Sequence, residues 1–209
     1  MLRARTIEAK DARRRAVLNA ALDEFFERGF TAARMDDIAR RAGLSKGALY
    51  LYFDSKEELF SGLVETIAMP NLERVEQLVG TTRSPTEAIR LLMAFAPRLI
   101  VGSPLPRIVK VLIADSGAFP EVVRDYRRQV IDRVLGAIAR LLERGRATGE
   151  FQVDDPHLAA RLVVAPIVLS AMWRVVFETD PEAQVDVEAL FALHEQFLLR
   201  ALSAKGTES

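Results

Sequence analysis

Apolar residues recur at the i, i+3, i+4, i+7 spacing of amphipathic helices along most of the chain, and no stretch alternates as a strand does. The pattern predicts an all-α protein. The first helix runs from about Glu8 to Arg28, with Val17, Leu18, Ala21, Leu22 and Phe25 as its stripe and Gly29 as its stop. Residues 1–8 read as a loose basic arm, suited to contacts with a nucleic-acid backbone or minor groove. A compact unit follows from Arg34 to Phe53. Met35, Ile38, Ala39 and Ala42 form a buried stripe, Gly43 ends that helix, and Ser45 caps the next. Helix, glycine turn and helix make a helix-turn-helix.

The second helix of this unit has an unusual outer face. At about 100° per residue, Leu49 and Phe53 point the same way and belong to the core. Leu51 then lies on the far side, beside Gly47 and between Ala48 and Tyr50, with Lys46 at the edge. Small residues permit close approach in a groove, and a leucine there meets a thymine methyl. The competing reading is a helix buried on both sides.

Further on, Ser55 and Glu58 form a capping box for a helix from Lys56 toward Val79, with Pro70 as a kink or break. Residues 80–84 read as a linker. Ser84 and Pro85 open a helix carrying Ala88, Leu91, Leu92, Phe95 and Leu99. A break at 102–106 precedes a short helix with Ile108, Val109, Leu112 and Ile113, ending near Ser116 and Gly117. Phe119 and Pro120 open a longer one that ends at Gly145 to Gly149. Asp155 caps a nearly all-apolar helix, Leu158 to Phe177, and residues 186–202 form the last. The tail from Ala204 to Ser209 is expected to fray.

Asp37-Ile38-Ala39, Ala42-Gly43-Leu44-Ser45-Lys46-Gly47, Leu49-Tyr50-Leu51-Tyr52-Phe53 and Ser55-Lys56-Glu57-Glu58-Leu59 together resemble the signature of TetR-family transcriptional regulators, without gaps from about Val17 to Phe60. The resemblance implies a dimeric, ligand-responsive, DNA-binding protein, usually a repressor. It implies a helix-turn-helix head at residues 1–54 and an effector-binding and dimerisation body at 55–209. Ala48, Ala33 and Arg34 stand where the family often has threonine or serine. Those positions often meet DNA, so no relative's operator transfers to this chain. The expected DNA-binding residues are Arg34, Lys46, Tyr52 and Lys56 on phosphates, Gly47, Tyr50 and Leu51 at base edges or sugar, and Ser45 and Ala48 beside them.

A helix apolar all round must be buried all round. The helix over 158–177, with the stripe of residues 190–201, is therefore expected to face a second copy in a four-helix bundle on a two-fold axis. The interface residues on the first helix are Leu162, Val163, Pro166, Leu169 and Trp173; on the second they are Leu190, His194, Phe197 and Leu198. An effector pocket is expected in the body from Leu92, Phe95, Leu99, Ile113, Phe119, Tyr126, Met172 and Phe177. The competing reading of these residues is plain core.

Composition narrows the chemistry. The chain has 209 residues, half of them hydrophobic, and 29 basic against 29 acidic side chains, so its overall charge gives no strongly basic footprint. The first fifteen residues are the local exception, with six basic and two acidic. Absence of cysteine excludes disulfides and thiol catalysis and fits a reducing compartment. No apolar h-region of a signal peptide is visible. The longest uncharged apolar run, Leu162 to Trp173, has 12 residues, too short for a bilayer. Gly43-Leu44-Ser45-Lys46-Gly47 matches the G-x-S-x-G of hydrolases, but that motif needs a preceding strand and here a helix precedes it. His157 and His194 lack metal-spaced partners, and no phosphate-binding glycine loop occurs. The expectations are no enzyme, no cofactor and no membrane, but a cytoplasmic regulator whose partners are a palindromic double-stranded operator, a small-molecule effector and a second copy. The alternative is a helical module that binds another protein through Leu51 and the tyrosines.

Overall fold

Helix starts follow the capping residues. The hydroxyls of Ser45, Ser55 and Ser84 and the carboxylates of Asp155 and Asp186 each accept a hydrogen bond from a backbone N–H two or three residues on. The computed structural model describes residues 2–203, with side chains from residue 9 onward. Its helices are α1 (Leu2–Arg28), α2 (Met35–Arg41), α3 (Lys46–Tyr50), α4 (Lys56–Leu63), α5 (Met69–Thr81) and α6 (Pro85–Ile100). They continue with α7 (Leu105–Asp115), α8 (Pro120–Tyr126), α9 (Asp132–Ala147), α10 (Pro156–Val176) and α11 (Val187–Leu202). Among the described residues there is no strand, only one isolated bridge between Phe151 and Ser203.

Four boundaries depart from the expected ones. The backbone is helical from Leu2, so the first residues extend α1 rather than forming a loose arm; the side chains of Arg3 and Arg5 and the tail 204–209 lie outside the described residues. The helix expected from Lys56 to Val79 is interrupted by a π turn, Val64–Ala68. Pro70 is the cause: it lacks an N–H, and its ring clashes with the carbonyl four residues back, so the register widens ahead of it. Asn71 Nδ2 donates to the Ile67 carbonyl at 2.7 Å in the same turn. A second π turn, Arg127–Ile131, separates α8 from α9. Gly80 stays helical instead of opening the linker, because the Thr81 and Thr82 hydroxyls cap the carbonyls of Gln77 and Leu78.

The chain forms two compact units. The first holds residues up to Thr66 together with Lys110–Asp125; the second holds Ile67–Val109 and everything from Tyr126. This division differs from a cut after residue 54. Leu59, Phe60 and Leu63 of α4 are fully buried in the first unit, and Gly62 lies so close to Leu18 that a Cβ would approach its Cδ2 to 2.9 Å. The core of the first unit is aromatic: the Phe30 ring lies 4.0 Å from Phe119, 5.0 Å from Phe25 and 6.3 Å from Phe60, centroid to centroid. Asp115 locks the same corner. Its carboxylate accepts from the Phe30 N–H at 2.9 Å and the Thr31 hydroxyl at 3.0 Å. Gly29, at φ +81°, supplies the left-handed turn beside it.

The second unit packs α5, α6, α9, α10 and α11 around a mostly aliphatic core that includes Ile89, Leu92, Leu141 and Leu142, with Phe191 among them. Phe151 sits flat on α9, where Gly145 leaves no room for even a methyl group. Glu150 accepts from the Ser84 and Thr86 hydroxyls and the Thr86 N–H, so α6 begins on a carboxylate.

Removing the Asp115 carboxylate leaves the part-buried Phe30 N–H without a partner. Asp115→Ala is expected to cost about 1–3 kcal/mol in denaturant unfolding followed by helicity. Unchanged stability would show that the segment after Lys110 does not hold the α1–α2 loop.

Candidate nucleic-acid interface

Helix α2 ends in a Schellman turn. Gly43 has φ +68°, the Leu44 N–H donates to the Ala39 carbonyl at 2.9 Å, and the Gly43 N–H donates to the Arg40 carbonyl at 3.1 Å. Ser45 then caps α3, which is only five residues long. Two side chains fix its orientation: Leu49 and Phe53 are 0% and 2% exposed. The guanidinium of Arg14 stands 5.3 Å from the Phe53 ring. Helix α2 is held to α1 by Arg41, whose guanidinium lies 3.2 Å from the buried carboxylate of Glu24 and also pairs with Glu27.

The other side of α3 faces outward. Leu51 is 84% exposed, Tyr50, Ser45, Lys46 and Gly47 are exposed, and Ala48 and Tyr52 are half-buried. A Cβ added at Gly47 would meet nothing within 4 Å. Arg34 is exposed at the start of α2, with no capping hydrogen bond from its side chain. The residues expected to meet DNA are thus exposed or half-buried, and one of them has a different role. Lys56 is half-buried, and its ammonium donates to the carbonyls of Phe30 at 2.7 Å and Thr31 at 3.1 Å while sitting 4.9 Å over the Phe30 ring. Its donors close the α1–α2 loop before any phosphate arrives. Lys46 is also partnered: Asp36 stands 2.9 Å away, and this hydrogen bond and charge raise the lysine above its ordinary pKa.

The body contains a cavity of about 120 Å³. Leu72 and Val75 of α5, Leu92, Phe95 and Leu99 of α6, Val134 and Ile138 of α9, and Val163, Ile167 and Ala171 of α10 contribute to its wall. Two polar residues join them, Asn71 and Tyr126. Burial pushes the Tyr126 hydroxyl up to about 12. Of the expected pocket residues, Leu92, Phe95, Leu99 and Tyr126 line this wall, and four do not. Ile113 is exposed, and Phe119 is part of the aromatic cluster of the first unit. Phe177 is exposed, with its ring tilted against Trp173 at 4.7 Å between centroids. Met172 is about 100° round the helix from Ala171, half-buried and off the wall. Asn71 escaped the sequence reading; its signal was a lone amide among the apolar positions of α5.

Helix α10 has 21 residues, longer than its uncharged run, and is long and apolar enough to cross a membrane by length and composition, yet only 17% of its apolar window is buried within the chain. Leu158, Leu162, Leu169 and Trp173 are exposed along it, and Leu193 and Phe197 along α11. The two helices are neighbours, joined where His194 Nε2 meets the Val163 carbonyl at 3.4 Å. Val163 is the correction among the expected interface residues: it is buried and faces the cavity of its own chain. Pro166, Leu190, His194 and Leu198 are half-buried, and Leu190 and Leu198 pack on the body core.

Residues 17–63 match the family model of bacterial regulatory proteins of the tetR family, and residues 86–190 match that of the C-terminal domain of AefR-like transcriptional repressors. The nucleoid occlusion factor SlmA of Vibrio cholerae is 31% identical over 163 residues, which cover 74% of this chain and 80% of that protein. Two solved structures share the fold. NalD of Pseudomonas aeruginosa, the secondary repressor of the MexAB-OprM multidrug efflux pump, has a TM-score of 0.75 at 20% identity, over 94% of this chain and all (100%) of that one. SmeT in complex with triclosan has a TM-score of 0.76 at 24% identity, over 93% of each chain.

The surface makes a stability test possible without any DNA. Gly47→Ala and Leu51→Ala remove no buried contact, so each is expected to change stability by no more than about 0.5–1 kcal/mol. Lys56→Ala is expected to cost about 1–2 kcal/mol, because two charge-assisted hydrogen bonds are lost. Thermal unfolding that ranks Leu51→Ala below Lys56→Ala would reverse these assignments.

Proposed function

The chain belongs to the TetR family of bacterial regulatory proteins, and we propose that it acts as a homodimeric repressor which leaves its operator when a small, mostly apolar effector enters the body. The observation that carries the reading is the outward face of α3. A glycine with open space above it, a tyrosine and an 84% exposed leucine stand on a helix whose opposite side is fully buried. That surface suits a major groove, where the backbone at Gly47 comes close and Leu51 meets a thymine methyl. Arg34, Lys46 and Tyr52 fall beside it for phosphates, which position the head without specifying sequence.

The stripe on α10 and α11 supports the second copy. A contiguous exposed apolar surface marks an interaction site, and two helices from each subunit make a four-helix bundle. A second copy accounts for the stripe on both helices, where a bilayer would account for α10 alone. Two-fold symmetry then requires a palindromic operator, with half-sites about 34–36 Å apart. Such a regulator works in the cytoplasm, where the DNA is. The apolar cavity supports the effector. For induction, the effector must bind the arrangement that does not fit DNA more tightly, with a coupling of about 1–3 kcal/mol.

Fluorescence anisotropy with duplexes flanking the protein's own gene tests the reading. A specific complex is expected, with affinity falling steeply as salt rises. Leu51→Ala is expected to lose about 1 kcal/mol or more of specific binding. No specific complex at low salt, or an unaffected Leu51→Ala variant, would overturn the assignment of α3.

Sedimentation tests the second copy. Leu162→Glu combined with Phe197→Glu is expected to give a monomer with weakened operator binding, because two charges would be buried unpaired. A double variant that remains a dimer would remove α10 and α11 from the interface.

A further inference from the structure

We propose that the Tyr126 hydroxyl is the hydrogen-bonding anchor of the effector, and that this effector is a neutral, one-ring-sized, largely hydrocarbon molecule carrying a single hydroxyl or carbonyl oxygen. The inference rests on the ligand-controlled reading above and names the class of ligand.

Tyr126 is 8% exposed and lines the cavity, yet its hydroxyl has no hydrogen-bond partner among the described residues. Buried tyrosines ordinarily find a partner, because an unpaired hydroxyl loses its water for nothing. Here the tyrosine is part of the cavity wall, and an oxygen on a bound molecule supplies that partner. Burial keeps the phenol protonated throughout the physiological range, so it both donates and accepts. The rest of the wall sets the remaining chemistry. Asn71 is the other polar residue; one of its N–H groups is engaged with the Ile67 carbonyl, and its amide oxygen accepts. Among the described residues no charged side chain lines the cavity, so a carboxylate or ammonium would be buried without a counter-ion. Size sets the last limit. Apolar cavities of about 150 Å³ stay dry and take up benzene, and this one measures about 120 Å³.

Three one-ring probes that differ at a single position decide the matter: 4-methylphenol, toluene and 4-methylbenzoate. Each is titrated by calorimetry into the full-length wild type and into Tyr126→Phe, without DNA. Wild type is expected to bind 4-methylphenol about 5–10-fold more tightly than toluene, the worth of one buried hydrogen bond, and 4-methylbenzoate most weakly. Tyr126→Phe is expected to abolish the preference for the phenol while holding toluene as well as before. Its melting temperature is expected to stay level or rise, since the lost hydroxyl had no partner, and this shows that the variant is folded. A phenol preference that survives Tyr126→Phe, equal binding of phenol and toluene by wild type, tightest binding of the benzoate, or no binding of either neutral probe each overturns the proposal. Operator release is read separately by anisotropy, so the anchor can fail while ligand control stands, and ligand control can fail while the anchor stands.

Discussion

Everything this protein offers to DNA depends on the burial of Leu49 and Phe53. A five-residue helix has no stability of its own, because nucleation costs more than so few hydrogen bonds return. Helix α3 therefore exists only as far as tertiary contacts hold it. Those two side chains sink into the core of the first unit, and the Schellman turn at Gly43 and the Ser45 cap set where the helix begins. With one side committed in this way, the opposite side is fixed as firmly. Gly47, Tyr50 and Leu51 point outward because Leu49 and Phe53 point inward.

The floor under that unit is made by residues remote in sequence. Phe119 packs against Phe30, and Asp115 binds the backbone of Phe30 across 85 positions of chain. Lys56 closes the same corner from the other side. The charges around α2 and α3 are held in a similar way. Lys46 has Asp36, Arg40 has Asp37, and Arg41 has Glu24 and Glu27. A chain with no net charge thus holds these cations against acids of its own.

Local periodicity made α3 legible from sequence. The angular arithmetic that separated Leu49 and Phe53 from Leu51 needs only neighbouring residues, and the capping serines and Gly43 are equally local signals. Placement across long separations was not legible. Phe119 and Phe95 look alike in sequence, yet one fills the aromatic cluster and the other lines the cavity. Lys56 reads as a phosphate contact until Phe30 is folded beneath it. Val163 belongs to the same apolar run as Leu162, and only the seat of α10 on α6 and α9 shows that one is enclosed and the other bare. The π turn before Pro70 lay between these cases: the proline announced a break but not the kind of break.

Hydrogen exchange on the protein with and without its operator duplex bears most directly on the central claim, that α3 reaches DNA with the face its core residues leave free. Peptides spanning Leu44 to Phe53 are predicted to gain protection on adding the duplex, and to gain none with an unrelated duplex at moderate salt. Operator-dependent protection that spares this segment and falls elsewhere would contradict the account.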